Sequence, residues 1–199
     1  PDSYFYNKYY NNNRWKAPTI ISLAIGQGEL GVTPIQLANM TAAIANRGYW
    51  YIPHIVESVG DKKIDSIKFK TPNYTTISRD NFEIVIKGMR DVFEIGTAKN
   101  SKIIGIDIAG KTGTAENPTG QDHSIFIAFA PIEDPQIAIA VIIENGYWGS
   151  RWAAPIASLM IERYISKECS RKDLEHKMIS GSLAQEYNIP SVETLLPKY

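Results

Sequence analysis

Residues 103–143 read IIGIDIAGKTGTAENPTGQDHSIFIAFAPIEDPQIAIAVII, and this stretch decides the fold class. It opens with an apolar, strand-length run at 103–109, and further runs follow at 124–131 and 136–145. The connections at 116–122 and 133–135 can turn between antiparallel neighbours but are too short for a helical crossover. The last run is apolar almost throughout, which implies cover on both faces.

Helical patterns lie on either side. Thr33-Pro34-Ile35-Gln36 sets Thr at the N-cap, Pro at the first helical position and Gln at the third, a capping box. The helix it starts is predicted over 34–46, with Ile35, Ala38, Thr41, Ala42 and Ala45 on one mostly small face and Gly48 as its stop. A second helix is predicted from near Asp80, with Glu83 reaching back toward the cap and Gly96 at its close. Phe82, Val85, Ile86, Met89, Val92 and Phe93 form its buried stripe at helical spacing. A third is predicted over 151–165, with Pro155 in its first turn and Ile156, Leu159, Met160, Tyr164 and Ile165 facing inward. The order helix, helix, three strands, helix predicts an α+β fold, an antiparallel β-sheet with helices packed on it.

The other segments read more plainly. Residues 1–20 look irregular, with Asn11-Asn12-Asn13 favouring a turn. Gly26-Gln27-Gly28 lacks the lysine and the spacing of a phosphate loop, so it reads as a structural turn with Gln27 and Glu29 as turn residues. Residues 49–52 and 54–56 read as extended around Pro53, and Asp61-Lys62-Lys63 as an exposed hairpin or loop. Tyr147, Trp148 and Trp152 are expected to form an aromatic cluster capping helix and sheet. Residues 1–166 are taken as one domain portion and 167–199 as a charged tail, with Pro190, Pro197 and one short helix from Ser170.

Composition excludes several classes. The 199 residues carry 21 Lys plus Arg against 21 Asp plus Glu, without the basic excess of a nucleic-acid binder. A hydrophobic content of 44% rules out wholesale disorder. The lone cysteine, Cys169, leaves no intrachain disulfide and no cysteine-rich zinc site, and its setting reads as inert. His54, His123 and His176 lie far apart, so no metal and no cofactor is expected. No stretch reaches the ~18 consecutive apolar residues of a spanning helix, and the polar, aromatic opening from Pro1 is no signal peptide. The chain therefore reads as a piece that begins partway through a longer protein.

Lys111-Thr112-Gly113, followed by Thr114, is the sharpest chemical feature. A strand at the margin of a cleft can take an extended peptide as an added strand. Lysine offers a cation to a substrate carboxylate, threonine hydroxyls donate hydrogen bonds, and glycine permits close approach. The tripeptide belongs to the active-site set of β-lactamases and penicillin-binding proteins.

A longer resemblance supports that link. IGQGELGVTPIQLANMTAAIANRGYWYIPHIV, GMRDVFEIGTA, IAGKTGTAEN, DHSIFIAFAP, IAIAVIIENG and a helix containing AAPIA occur in that order over residues 20–165. Together they resemble the C-terminal part of the transpeptidase domain of class B penicillin-binding proteins, most closely the elongation-type penicillin-binding protein 2 group. The resemblance implies an extracytoplasmic serine acyltransferase, anchored by a segment upstream of this chain, that cross-links peptidoglycan stem peptides ending in D-Ala-D-Ala. It also implies β-lactam antibiotics as ligands and cell-elongation membrane proteins as partners, with no nucleic acid. Lys111, Thr112 and Gly113 would then be the catalytic motif, with Thr114 and Ala115 binding substrate and the N–H near Thr114 serving the oxyanion. Glu116, Asp122 and His123 are candidates for the cleft rim.

One departure matters. No serine has a lysine three positions on, and no S-x-N occurs, so the nucleophile, its lysine and the second motif are expected before Pro1. This chain alone is expected to be inactive. Asp122-His123-Ser124 cannot replace them, because sequence neighbours on a strand do not form a triad. The alternatives are a β-lactamase or carboxypeptidase, against which the GQG-x-x-x-x-TP-x-Q stretch argues, and a non-catalytic sensor or interaction domain of the same fold.

Overall fold

The computed structural model describes residues 2–10, 16–63 and 66–187. The turn expected at 11–13 and the tail prolines Pro190 and Pro197 lie outside the described residues. In chain order come α1 (Ser3–Tyr9), α2 (Ala17–Ala24), α3 (Pro34–Ala45), β1 (Tyr49–Trp50), β2 (Ser58–Val59), β3 (Lys62–Lys63), α4 (Ser66–Lys70), β4 (Asn73–Tyr74) and α5 (Arg79–Glu94). A 3-10 turn at Lys99–Ser101 precedes β5 (Ala109–Ala115), β6 (His123–Ala130) and β7 (Ile137–Ile143). The helices α6 (Ala153–Ser166), α7 (Lys172–Ser180) and α8 (Leu183–Glu186) follow.

β5, β6 and β7 form one antiparallel sheet in that spatial order, so the expected α+β architecture is present. Alternation along β6 sets its two faces. Phe126, Ala128 and Ala130 join Ile139 of β7 against Ala153, Ala154, Ala157 and Ile161 of α6. Ile127 and Phe129 turn the other way, with Ala138, against Ala45 of α3 and Phe82, Ile86 and Met89 of α5. The apolar β7 thus has α3 and α6 packed against it, as its composition implied. Phe93 at the end of α5 meets Phe126 edge to face, with ring centroids 5.7 Å apart.

The capping box at α3 forms as the sequence predicts: the Thr33 N–H donates to Gln36 Oε1 at 2.8 Å. Its inner face is shorter than expected, because Thr41 and Ala45 are buried while Ile35 is exposed. On α5 the stripe holds at Phe82, Ile86, Met89 and Phe93, whereas Val85 is exposed. Glu83 does not cap the helix. It pairs with Arg47 at 3.0 Å, and Arg47 Nη1 also donates to the Ala45 and Ile132 carbonyls, tying the end of α3 to the β6–β7 turn.

Four further expectations need correction. Residues 3–9 and 17–24 are helices rather than irregular chain: Asp2 accepts from the Phe5 N–H as an N-cap, and Pro18 sits in the first turn of α2. Of the segment 49–56, only Tyr49–Trp50 pairs as a strand, with Asn73–Tyr74. The aromatic cluster is divided, with Trp152 buried, Trp148 exposed, and the Tyr147 ring tilted against that of Tyr187, centroids 3.9 Å apart. On α6 the closest packing falls to alanines, while Met160 and Tyr164 are about half exposed at 52% and 49%. Phe93 and Phe126 fill much of the layer opposite, and α6 meets them with Ala153, Ala154 and Ala157 together with the fully buried Ile161. Ile156, Leu159, Met160 and Tyr164 instead line an apolar groove of about 610 Å³ with Ile137 and Met178.

α7 is fastened to α6 through a buried ion pair. Arg171 Nε donates to Glu162 Oε2 at 2.9 Å, and the Ser170 N–H and hydroxyl both donate to Oε1. Burial pushes the Glu162 carboxyl up, but Ser170 and Arg171 outweigh it and leave it below its ordinary value.

Candidate functional site

β5 is an edge strand, and among the described residues no strand pairs with its outer side. It begins at Ala109, so Lys111-Thr112-Gly113 lies within the strand rather than after one. The apolar stretch before it is a turn: Gly105 takes φ +80°, Ile104 is 97% exposed, and Ile103 and Ile108 turn into the core. What makes AGKTGTA a strand is its register with β6, Gly110 opposite Ala128 through Ala115 opposite His123.

That register sorts the motif. Thr112 and Thr114 lie opposite Phe126 and Ser124, on the α6 face, whereas Lys111, Gly113 and Ala115 lie opposite Ile127, Ile125 and His123, on the other. Lys111 is exposed, and its Nζ donates to the Thr112 carbonyl at 2.9 Å. The Thr112 hydroxyl meets that of Thr97 at 2.9 Å, linking the strand to the turn after α5. The Thr114 carbonyl accepts from Gln27 Nε2 at 2.9 Å. Both carbonyls therefore face the open edge, and in a strand the N–H of the same residue faces with its carbonyl.

The inner side is held by two residues that no local pattern marks. Ser124, fully buried, donates to the Trp148 carbonyl at 2.9 Å and accepts from the Ala153 N–H at 3.3 Å. Gly149 lies against the paired backbones of Gly113 and Ile125; a Cβ there would sit 2.6 Å from the Gly113 carbonyl oxygen. Gln27 and Glu29 are more than turn residues. Gln27 reaches β5, and Glu29 accepts from the hydroxyls of Tyr6 on α1 and of Tyr10, which caps its C-terminal end. The Tyr10 hydroxyl holds the Glu29 carboxyl below its ordinary value.

The rim candidates are spread along one loop. Glu116 is exposed, and its N–H donates to Gln27 Oε1 at 3.3 Å. Asp122 Oδ1 accepts from the Asn117 N–H at 3.3 Å. His123 Nδ1 accepts from the Asn145 N–H at 3.1 Å, so the neutral ring carries its proton on Nε2. Asp122 and His123 thus join the loop after β5 to the turn after β7, while Ser124 points into the opposite face. Cys169 is buried, and desolvation raises its thiol pKa, so it is a poor nucleophile. Among the described residues no group of three or more His, Cys, Asp or Glu could hold a metal ion, and no helix is long and apolar enough to cross a membrane.

What the site offers is an open strand edge with outward N–H groups and a cation on one face. An extended peptide bearing a carboxylate fits that chemistry.

A family model described as the penicillin binding protein transpeptidase domain matches residues 4–162. The peptidoglycan D,D-transpeptidase MrdA of Acinetobacter baumannii is 33% identical over 171 residues, 77% of this chain and 25% of that protein. Pseudomonas aeruginosa PBP2, solved in complex with WCK 5153, superposes with a TM-score of 0.72 at 32% identity, over 86% of this chain and 38% of that one. Penicillin-binding protein A of Mycobacterium tuberculosis, solved as an imipenem acyl-enzyme complex, gives a TM-score of 0.62 at 30% identity, over 74% of this chain and 34% of that one. The chain spans between a quarter and two fifths of the length of these proteins.

Proposed function

We propose, from the premise that this chain belongs to the penicillin-binding protein transpeptidase family, that it forms one wall of the acyl-transfer cleft of a peptidoglycan D,D-transpeptidase. The observation that carries this reading is the Lys111-Thr112-Gly113-Thr114 strand lying at an open sheet edge. In the reaction a serine oxygen attacks the carbonyl carbon between the two terminal D-alanines of a stem peptide. The C–N bond breaks and the terminal D-Ala leaves with the serine's proton on its amine; an amine of a second stem then attacks the serine ester, its C–O bond breaks, and the amine's proton returns to the serine oxygen. The serine and its lysine belong to residues outside this chain, which has no S-x-x-K.

The residues present supply the donor's seat. The Lys111 ammonium attracts the terminal carboxylate, and the Thr112 and Thr114 hydroxyls can donate hydrogen bonds to it. The Thr114 N–H, facing the open edge, donates to the oxyanion of the tetrahedral intermediate. A β-lactam takes the donor's place, as the acyl-enzyme complex of the M. tuberculosis relative supports. The protein works on the extracytoplasmic side of the membrane alongside elongation proteins; a similar protein, Helicobacter pylori PBP2, is solved in complex with MreC.

Covalent labelling by a fluorescent penicillin tests the assignment, using the protein extended upstream through its S-x-x-K. The extended protein takes the label, this chain alone does not, and Lys111→Ala and Thr114→Val both slow the labelling. Labelling that neither substitution changes removes the site from these residues.

A further inference from the structure

The segment after α6 runs back along that helix and ends beside the turn that backs β5. Lys167, at φ +65°, reverses the chain. As the segment advances, its partners step back toward the start of α6 and then into the turn before it. Ser170 and Arg171 meet Glu162, and Arg171 Nη1 reaches the Ser158 hydroxyl at 3.1 Å. Gly181 lies against the Trp152 ring, where a Cβ would sit 2.6 Å from Cη2. Glu186 pairs with Arg151, and the Tyr187 ring meets that of Tyr147. The matching family model stops at residue 162, so the acyl-transfer reading makes no use of these contacts.

The turn that the segment reaches is held in a costly shape. Tyr147 takes φ +57°, which a bulky side chain adopts only where its surroundings hold it there. On the side of the sheet, its N–H donates to the Asp122 carbonyl at 2.8 Å, the Trp148 carbonyl accepts from Ser124, and Gly149 lies against the Gly113 backbone. On the other side stand Glu186 and Tyr187. We propose that Glu186 and Tyr187 are positioning residues for the acyl-transfer site: through Arg151 and Tyr147 they hold the turn at 147–152 against the back of β5. An aromatic pair and a partly exposed ion pair are each modest interactions. Their leverage comes from where they act, on a turn that leaves no spare room beside Gly113 and so fixes how the Gly113–Thr114 backbone faces the acyl donor. A preorganised donor loses rate when its aim loosens, and ground-state binding suffers less. The inference rests on the transpeptidase reading above and names residues far from the motif that keep its strand in place.

The test uses the protein extended through its nucleophile, with Tyr187→Ala, Tyr187→Phe, Glu186→Arg, Arg151→Glu and the charge-swapped double variant. Stopped-flow acylation by a fluorescent penicillin separates the acylation rate constant from the dissociation constant. For Tyr187→Ala the rate constant falls about fivefold or more with the dissociation constant unchanged. Its melting temperature holds, because the Glu162–Arg171 pair still fastens α7, and the Tyr147 amide exchanges faster. Tyr187→Phe keeps the ring and restores the rate. Glu186→Arg and Arg151→Glu each slow acylation, and the double variant regains speed because the pair re-forms with its signs reversed. A Tyr187→Ala protein that acylates at the wild-type rate overturns the proposal alone. So does a loss of rate that follows a fall in melting temperature, a Tyr187→Phe protein as slow as Tyr187→Ala, or a charge-swapped protein no faster than its single variants. A wild-type protein that takes no label overturns the transpeptidase reading, and this proposal with it.

Discussion

Gly149→Ala puts a methyl group between the turn before α6 and the β5 strand. Built on the existing backbone, that carbon lies 2.2 Å from the Ile125 carbonyl oxygen, 2.6 Å from the Gly113 carbonyl oxygen and 3.1 Å from the Gly113 nitrogen. All three belong to the backbones of paired strands, so no rotamer change relieves the contact. Gly149 is not among the residues with positive φ, which leaves sterics as the only penalty. To regain van der Waals separation the turn must lift by roughly 1 Å. That movement stretches the two bonds of Ser124, to the Trp148 carbonyl and from the Ala153 N–H, since they flank Gly149 in sequence. Overpacking of this kind costs about 1–3 kcal/mol, and each weakened bond adds about 0.5–1.5 kcal/mol. A total near ~3 kcal/mol lowers the melting temperature of a chain this size by about 6–12 °C. Gly88→Ala is the control with the opposite sign. Gly88 is exposed in the middle of α5, where a methyl group meets nothing within 4 Å, so the substitution adds about 0.5–1 kcal/mol of stability through helix propensity. Thermal melts by circular dichroism on the three proteins read both effects. A Gly149→Ala protein that melts at or above the wild type refutes the close approach of this turn to Gly113.

Two further outcomes follow from the charged contacts. Arg171→Met strands the buried Glu162 carboxylate with only Ser170 to satisfy it, and is expected to cost about 3 kcal/mol in a urea melt at neutral pH. Because the folded Glu162 carboxyl lies below its ordinary value, the ion pair stabilises the fold above the usual glutamate range and is lost as pH falls through the folded value. The Arg171→Met deficit should therefore shrink in acid, and a deficit independent of pH counts against the pair. Glu29 has the same sign, with the Tyr10 hydroxyl as its main cause. In Tyr10→Phe a carboxyl-carbon NMR titration should move Glu29 up toward its ordinary value, and an unmoved midpoint means that the tyrosine does not hold it.

The signals legible in the sequence were those with a local period. Thr33 and Gln36 are three residues apart and meet within one turn, and Phe82, Ile86, Met89 and Phe93 repeat at helical spacing whatever they pack on. Alternation along β6 is equally local, and it decides both faces of the sheet. The start of β5 was misplaced because 103–109 is richer in β-branched residues than AGKTGTA itself. Propensity favoured the first segment, but pairing to β6 made the second one the strand, and Gly105 at positive φ turned the first aside. On α6, bulk is a poor guide to burial: Ala153, Ala154 and Ala157 are buried beside Ile161 against the aromatic rings, while Met160 and Tyr164 stay about half exposed.

The same distinction separates the motif from its support. Lys111 to Thr114 is recognisable because its chemistry is contiguous, whereas its supports come from every direction in the chain: Gln27 from 87 residues before Thr114, Ser124 from the next strand, and Gly149 from the turn beyond β7. Gln27 also departs from what its flanking glycines suggest. Two positive-φ residues around a polar one describe a turn equally well whether the side chain faces water or a strand edge. Only the unpaired outer side of β5 makes the difference, because an edge carbonyl and an N–H two residues apart need a partner with both a donor and an acceptor on one planar group. Of the uncharged side chains, only a carboxamide supplies both in that geometry, and of the two carboxamides glutamine carries the longer stem. The Gln27 carboxamide thus meets, at Thr114 and Glu116, the same edge along which the acyl donor is proposed to dock.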